Sequence, residues 1–270
     1  MPPNIRESHI DVDVIHKMGF TKDLRTRTYT HRTDKPTTDA EPSEPEAPNP
    51  SQPSETGFTS ILVYVGDLVL AGNNLQEITN TKILLDNEFN IKDLGNLKFF
   101  LGMEIARTTQ GIALYQRKYK LDLLQEAGFL GSKPCSTPMK YNNKLHANSG
   151  DPLTDGSSYR RLLRKLLYLT HTRPDISYSI GILSQHLAAF THLHQSSANR
   201  ILKYIKTSPG KGLFFPCSNS AVIKGFSDSD WGACLDTCRS ITCQCFYLGS
   251  SLISWKSKRQ NTISRSSAEA

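Results

Sequence analysis

Six of the chain's 14 prolines fall within residues 36–53, alongside Glu41, Glu44 and Glu46 and almost no apolar side chain. A stretch of that composition cannot bury enough surface to offset its ordering entropy, so it is expected to be a disordered linker. Residues 1–35 show little periodicity, and the whole of 1–56 is expected to be poorly ordered. A folded body should therefore begin near Gly57. The subtraction matters because the chain has 270 residues and only 37% hydrophobic side chains, so the core is thin. The longest clean apolar run is Ile61 to Val65, far short of the ~18–20 residues a membrane helix needs. Met1 to Phe20 is too polar for a secretory signal. Membrane and secreted classes are set aside; an intracellular protein is expected, cytoplasmic or nuclear, with an organelle also open.

The formal charge of +7 is unevenly placed: net −3 over residues 1–56, net +4 over 57–199 and net +6 over 200–270. A basic segment raises the local concentration of polyanions, nucleic acid first among them. The competing reading is an ordinary solvated face.

From Gly57 the pattern alternates between strands and helices. Thr59 to Val65 is rich in β-branched residues and Leu68 to Ala71 is apolar again, with Gly66-Asp67 between them as a hairpin turn pair. Leu75, Ile78, Leu85 and Phe89 recur as on one helix face. Leu97 to Ile105 reads as one strand and Gly111 to Tyr115 as another. Tyr119, Leu123 and Ala127 mark a helix closed by Gly128. Three more helices follow a Pro-containing loop. The first carries the stripe Tyr159, Leu162, Leu163, Leu166 and Leu167. The second opens at Pro174, with Asp175 favourable to its dipole, and carries Ile176, Ile180, Leu183 and Leu187. The third carries Ala198, Ile201, Leu202 and Ile205 and ends before Pro209-Gly210. The tail turns to strands at Gly212 to Phe215, Val222 to Ser227, Ile241 to Leu248 and Leu252 to Lys256. The expected class is α+β, in serial units.

Cys234, Cys238, Cys243 and Cys245 are spaced C-x3-C-x4-C-x-C. That spacing lacks two separated knuckles, so reduced structural thiols are expected rather than zinc. His186, His192 and His194 read as surface histidines. The carboxylates are more informative. Asp67 sits at the tip of the expected hairpin, Asp228 and Asp230 follow a strand, and Glu269 lies near the end of the sequence. Acidic residues at strand ends are how phosphoryl-transfer sites hold Mg²⁺, because hard cations want oxygen ligands in fixed positions. Each has a structural alternative. Asp67 suits a turn, Asp228-Ser229-Asp230 a loop, and Ser266 with Glu269 a capping box at a helix start.

Several ordered segments then resemble one family. Ile61-Leu62-Val63-Tyr64-Val65-Gly66-Asp67-Leu68-Val69-Leu70-Ala71-Gly72-Asn73 resembles the polymerase signature hairpin of copia-type retrotransposon Pol polyproteins. Ile91 to Gly95, Phe99 to Ile105, Pro134 to Met139, Tyr168-Leu169-Thr170, Thr172-Arg173-Pro174-Asp175-Ile176-Ser177-Tyr178 and Ser208 to Phe215 are similar to the segments that follow. Asp228-Ser229-Asp230-Trp231, Leu248 to Lys258 and Ser264 to Ala270 continue the match in the tail.

The resemblance implies a partial reverse transcriptase palm over 57–145, a hairpin with helix and strands. It implies a helical thumb-like or connection-like region over 146–210 and a truncated ribonuclease H-like domain, an incomplete sheet, over 211–270. It also implies Mg²⁺ or Mn²⁺ as cofactor, with Asp67 and Asp228 as metal ligands and Asp230 and Glu269 as further catalytic candidates. Phe100, Leu101 and Gly102 would match the segment gripping the primer backbone. The basic tail, with Lys256, Lys258 and Arg259, would follow an RNA–DNA hybrid or a single strand through its phosphates.

Departures from the family pattern shape the functional expectation. The family has two adjacent aspartates at the hairpin tip, whereas this chain has Gly66 and Asp67. Losing metal charge stabilisation of several kcal/mol costs on the order of 10³-fold or more in rate. The family's upstream palm aspartate has no counterpart in residues 1–57, where only Gly19-Phe20-Thr21 traces the match. In the tail, the second ribonuclease H glutamate is expected one residue beyond Ala270. Cys238 and Cys243 stand where Arg and Gly are expected, and Arg164 where a small residue is expected. The reading is a degenerate, catalytically inactive fragment of an RNA-directed DNA polymerase and ribonuclease H. The alternative is a retained nucleic-acid-binding module. A ribonuclease H completed by a partner chain ranks last.

Overall fold

Asn74 starts a helix because its side chain accepts the N–H groups of Gln76 and Glu77 at 2.9 and 3.4 Å, two donors the first turn would otherwise leave unpaired. The neighbouring Asn73 ties this start to a strand, its Oδ1 accepting the Phe58 N–H at 2.8 Å. Such local locks organise the computed structural model, which describes residues 21–23, 28–33, 57–64, 67–141, 145–147, 150–153 and 156–269. The chain divides into two units, Met1–Leu97 and Lys98–Ala270. The whole Pro/Glu stretch and the Gly66 position lie outside the described residues, as does Ala270.

The first unit is an antiparallel sheet in the order β1-β2-β3-β4, formed by Thr21–Asp23, Thr28–Thr33, Gly57–Tyr64 and Asp67–Gly72. Helix α1, Leu75–Phe89, packs on it and ends at Asn90 in the left-handed region. Ile61 and Leu85 are fully buried, with Val63, Leu68, Leu70, Phe89 and Ile91 around them. Leu75, grouped by periodicity with the buried face, is exposed at the first helical position. The strands β1 and β2 had no apolar signature. Their pairing with β3 runs through the backbone, Thr28 opposite Leu62 to Thr33 opposite Gly57, and a ladder of that kind needs no alternating pattern.

Among its described residues, the second unit holds two further antiparallel sheets and four α-helices. One sheet has the order β5-β6-β7-β8: Phe99–Phe100, Met103–Thr108, Gly111–Tyr115 and Leu213–Pro216. Leu97 to Ile105 is thus not one strand. It folds back at Leu101-Gly102, where Phe100 pairs with Met103. The fourth strand comes from beyond the helices, Leu213 pairing with Leu114 and Pro216 with Gly111. Strand pairing therefore crosses the boundary drawn in the sequence at residue 211.

Between β7 and β8 lie α2 (Arg117–Glu126), α3 (Gly156–Leu169), a 3₁₀ turn at Pro174–Ile176, α4 (Ser177–Ser184) and α5 (His192–Lys206). Their apolar stripes meet in the main core. Tyr159, Leu163, Leu166, Leu169, Ile176, Ile180, Leu183, Ala198, Ile201, Leu202 and Ile205 are all buried there. Leu167 and Leu187 fall at the rim and are exposed, and Arg164 points to solvent, which makes its replacement of a small residue tolerable. The third sheet, in the order β11-β10-β9, comprises Ile223–Ser229 (β9), Ile241–Leu248 (β10) and Ser251–Arg259 (β11). It docks on the helices through β11, with Trp255 donating its indole N–H to the Thr170 carbonyl at 3.2 Å. The architecture is mixed α and β with antiparallel sheets. Among the described residues, no helix is long and apolar enough to cross a membrane.

Candidate functional site

Asp67 opens β4 opposite Tyr64, and its side chain is exposed. It is a strand residue rather than the second residue of the turn. The segment Phe100-Leu101-Gly102 forms the tight hairpin between β5 and β6. Both turn residues have positive φ, 49° at Leu101 and 70° at Gly102, the signature of a type I′ turn. Leu101 is uncommon in that region and carries strain. The Tyr168 hydroxyl from α3 donates to the Leu101 carbonyl and holds the turn. A Cβ at Gly102 would lie 2.8 Å from that hydroxyl oxygen. Gly102→Ala is therefore expected to cost about 1–3 kcal/mol, through backbone strain and loss of the clamp, read as a lower urea midpoint.

The tail carboxylates separate by role. Asp228 lies on β9 opposite Cys243, with its carboxylate exposed. The Asp230 carboxylate accepts the Ile241 N–H at 2.7 Å while the Asp230 N–H donates to the Ile241 carbonyl at 3.2 Å, which fixes the start of β10. The Glu269 carboxylate accepts the Arg265 N–H at 2.8 Å. The capping box expected from Ser266 is replaced by this turn, and no helix forms at 266–269. Among the described residues, no three His, Cys, Asp or Glu side chains come together as ligands for a metal ion. Asp230 and Glu269 each spend one carboxylate oxygen on a backbone N–H, while Asp67 and Asp228, the two expected metal ligands, are exposed. All six cysteines are free thiols.

The basic residues of the tail divide by strand parity. Lys256 and Lys258 alternate on one face of β11 and are exposed. Together with Thr242, Gln244, Arg259, Gln260 and Asn261 they line a shallow groove. The Arg259 guanidinium reaches away from the two lysines and donates to Gln185 at 3.3 Å and to the Cys234 sulfur at 3.7 Å. Cys234 is buried; burial alone would raise its thiol, but hydrogen bonds from Thr237, then Arg259, and from the backbone of Thr237 and Asp236 draw it below the usual range.

Two buried polar clusters carry the segments that sequence reasoning undervalued. Arg173 is fully buried, and its guanidinium makes two 2.8 Å bonds to the Asp175 carboxylate. Asp175 also accepts from Tyr204 at 2.7 Å and Lys211 at 3.1 Å. Burial alone would raise the Asp175 carboxyl, but these donors hold it well below the usual carboxylate range. The buried Lys120 ammonium donates to the Lys211 carbonyl at 2.6 Å, and burial, then the Arg173 charge, pushes it down to about 8. Thr172 closes the cluster with a 2.8 Å bond to Gln116. The Thr-Arg-Pro-Asp segment is thus a structural latch. An arginine two residues from an aspartate across a proline was the available signal.

The second cluster corrects the reading of surface histidines. His194 is fully buried and His186 nearly so, their ring centroids 4.4 Å apart; only His192 is exposed. His194 Nδ1 accepts the Thr191 N–H at 3.0 Å, serving as the third residue of the α5 capping box. Burial, then the neighbouring His186, lowers its imidazole to about 4.

The family described as reverse transcriptase (RNA-dependent DNA polymerase) matches residues 55–141. The Pol polyprotein from transposon RE2 of Arabidopsis thaliana is 39% identical over 210 residues, 78% of this chain. That from transposon TNT 1-94 of Nicotiana tabacum is 31% identical over 226 residues, 80% of this chain. The chain spans only 14% and 17% of these two polyproteins. An uncharacterized mitochondrial protein of Arabidopsis thaliana is 38% identical over 211 residues, and the match covers 87% of that protein. No solved structure matches. With several ordered motifs and a near full-length relative in agreement, the chain belongs to the reverse transcriptase family carried in the Pol polyproteins of copia-type transposons.

Proposed function

We propose that this chain is a nucleic-acid-binding derivative of a transposon reverse transcriptase and ribonuclease H region, without polymerase or ribonuclease activity of its own. In this reading residues 57–145 derive from a palm, 146–210 from a thumb or connection, and 211–270 from a ribonuclease H domain. The observation that carries it is the pair Lys256 and Lys258, side by side on the exposed face of β11 above a groove lined with Thr242, Gln244 and Gln260. Two ammonium groups at two-residue spacing on a rigid strand suit successive phosphates, and the amides and hydroxyl add neutral donors. Loss of catalysis is supported by the Gly66-Asp67 pair in the sequence, which offers one carboxylate where the family has two, and by the engagement of Asp230 and Glu269 with backbone N–H groups.

Phosphate contacts release counterions, so log affinity should fall linearly with log salt. In a filter-binding titration with RNA–DNA hybrid and with single strands, Lys256→Ala with Lys258→Ala should weaken binding. The salt slope should fall by roughly 1.5–2. Binding that is flat in salt, or unchanged in the double variant, refutes the interface. Primer extension and hybrid cleavage with Mg²⁺ or Mn²⁺ test the catalytic half. No product is expected. Incorporation that depends on Asp67, or cleavage that Asp228→Asn abolishes, would overturn it.

A further inference from the structure

Among the described residues, strand β9 is the open edge of its sheet, and along it the side chains from Ile223 to Asp228 are all exposed. Its sequence, Ile-Lys-Gly-Phe-Ser-Asp-Ser, is centred on Phe226, with Lys224 two residues before and Asp228 two residues after. Among the described residues neither of these charges has an ion-pair partner. We propose that β9 pairs with β9 of a second copy of this chain, antiparallel about a twofold axis at Phe226, joining two three-stranded sheets into one.

The backbone has the parity this requires. The Asp230 N–H donates to the Ile241 carbonyl and the Gly249 N–H to the Val222 carbonyl, so even-numbered positions turn their backbone groups inward to β10. The odd positions 223, 225, 227 and 229 therefore turn theirs outward. About the Phe226 dyad these meet as Ile223 with Ser229 and Gly225 with Ser227, the hydrogen-bonded pairs of an antiparallel ladder. The even positions form the non-hydrogen-bonded pairs, where side chains approach more closely. Those pairs are Phe226 with Phe226, and Lys224 with Asp228 twice.

Register is specified as well as direction. A slip that moves the dyad to Asp228 sets two carboxylates opposite each other, and a slip to Lys224 sets two ammonium groups opposite each other. Like charges directly across a ladder are unfavourable. Lone charges on an edge normally deter pairing; here the two deterrents neutralise each other in the register centred on Phe226. Phe226 already stands edge-on to Tyr247, with ring centroids 6.0 Å apart. The Phe246 ring covers Gly225 on the opposite face, at 2.9 Å from where a Cβ would sit, so the edge glycine is shielded by an aromatic neighbour. The occupant is thus a second copy of this chain, chosen by charge complementarity.

Sedimentation velocity on the full chain across a concentration series tests this. A monomer–dimer equilibrium is expected, with a Kd on the order of 1–100 μM for so small an interface. Lys224→Glu places Glu opposite Asp228 and should raise the Kd at least about tenfold. The charge swap, Lys224→Asp with Asp228→Lys, should return it to within about threefold of the parent. Hydrogen exchange on the unmodified chain should show amides 223, 225, 227 and 229 gaining protection as concentration rises. A monomer at every concentration overturns the proposal. So does a dimer indifferent to Lys224→Glu, a folded charge swap that stays monomeric, or a dimer whose β9 amides remain unprotected.

Discussion

Asp175→Asn is expected to destabilise the second unit by about 3–5 kcal/mol, because it leaves the Arg173 guanidinium buried without its counter-charge. The carboxylate accepts from three side chains, Arg173, Tyr204 and Lys211, so no single neighbour can compensate. Lys120 sharpens the effect, since its ammonium is buried close enough to Arg173 for the two charges to repel. With Asp175 neutral, that repulsion goes unanswered. A urea titration should show a midpoint lowered by roughly 1–3 M for an ordinary slope. Replacing Arg173 and Asp175 together by apolar residues of similar volume should cost much less than Asp175→Asn alone. If the two variants lose the same stability, the latch is not electrostatic.

The other large effect is acid lability. The His194 imidazole takes a proton only near pH 4 in the folded chain, against about 6.5 when unfolded. Between those values the unfolded chain binds more protons, so stability falls as pH drops from about 6.5 to 4. The shift corresponds to about 3–4 kcal/mol, fully present above the unfolded value. His186 is lowered by the same burial and steepens the slope, while Asp236, at 3.7 Å from its Nδ1, partly offsets it. His194→Gln separates titration from structure, because glutamine is a natural capping-box partner at this position. The variant should stay folded and lose most of the pH slope above 4. Asp175, whose folded carboxyl is held low, contributes stability that is lost only as pH falls below about 3.8, so its window lies beyond the histidine one.

The apolar stripes of α3, α4 and α5 were legible as sequence because their spacing and their burial coincide. Ile176, Ile180, Leu183, Ala198, Ile201, Leu202 and Ile205 all lie in the core. The strands of the third sheet were legible for a similar reason, as runs of β-branched and aromatic residues between turn residues. What pattern could not carry was partnership. A strand is visible locally, but its neighbour is not, so Leu213–Pro216 was grouped with the tail although its ladder runs to Gly111–Tyr115. The Leu101-Gly102 turn was missed because a leucine at positive φ runs against propensity, and it is held there by Tyr168 from a helix far along the chain. Histidines and arginines carry no burial signature of their own; only the packing of α4 against α5 reveals that His186 and His194 are inside. At the candidate site, residue types were readable and convergence was not. Asp230 and Glu269 each answer a nearby backbone N–H rather than one another.

The strand that closes the β5-β6-β7-β8 sheet also sets a timetable. As the chain leaves a ribosome, β7 emerges with one edge bare, and its partner β8 follows only after every helix of the second unit has been made. At ordinary synthesis rates that interval is on the order of ten seconds. During it the Gly111–Tyr115 edge is open to any other strand, and the helices must find their core before the sheet beneath them is complete. Synthesis slowed between residues 116 and 212 should therefore lengthen the period in which this chain mispairs, while slowing after residue 216 should not.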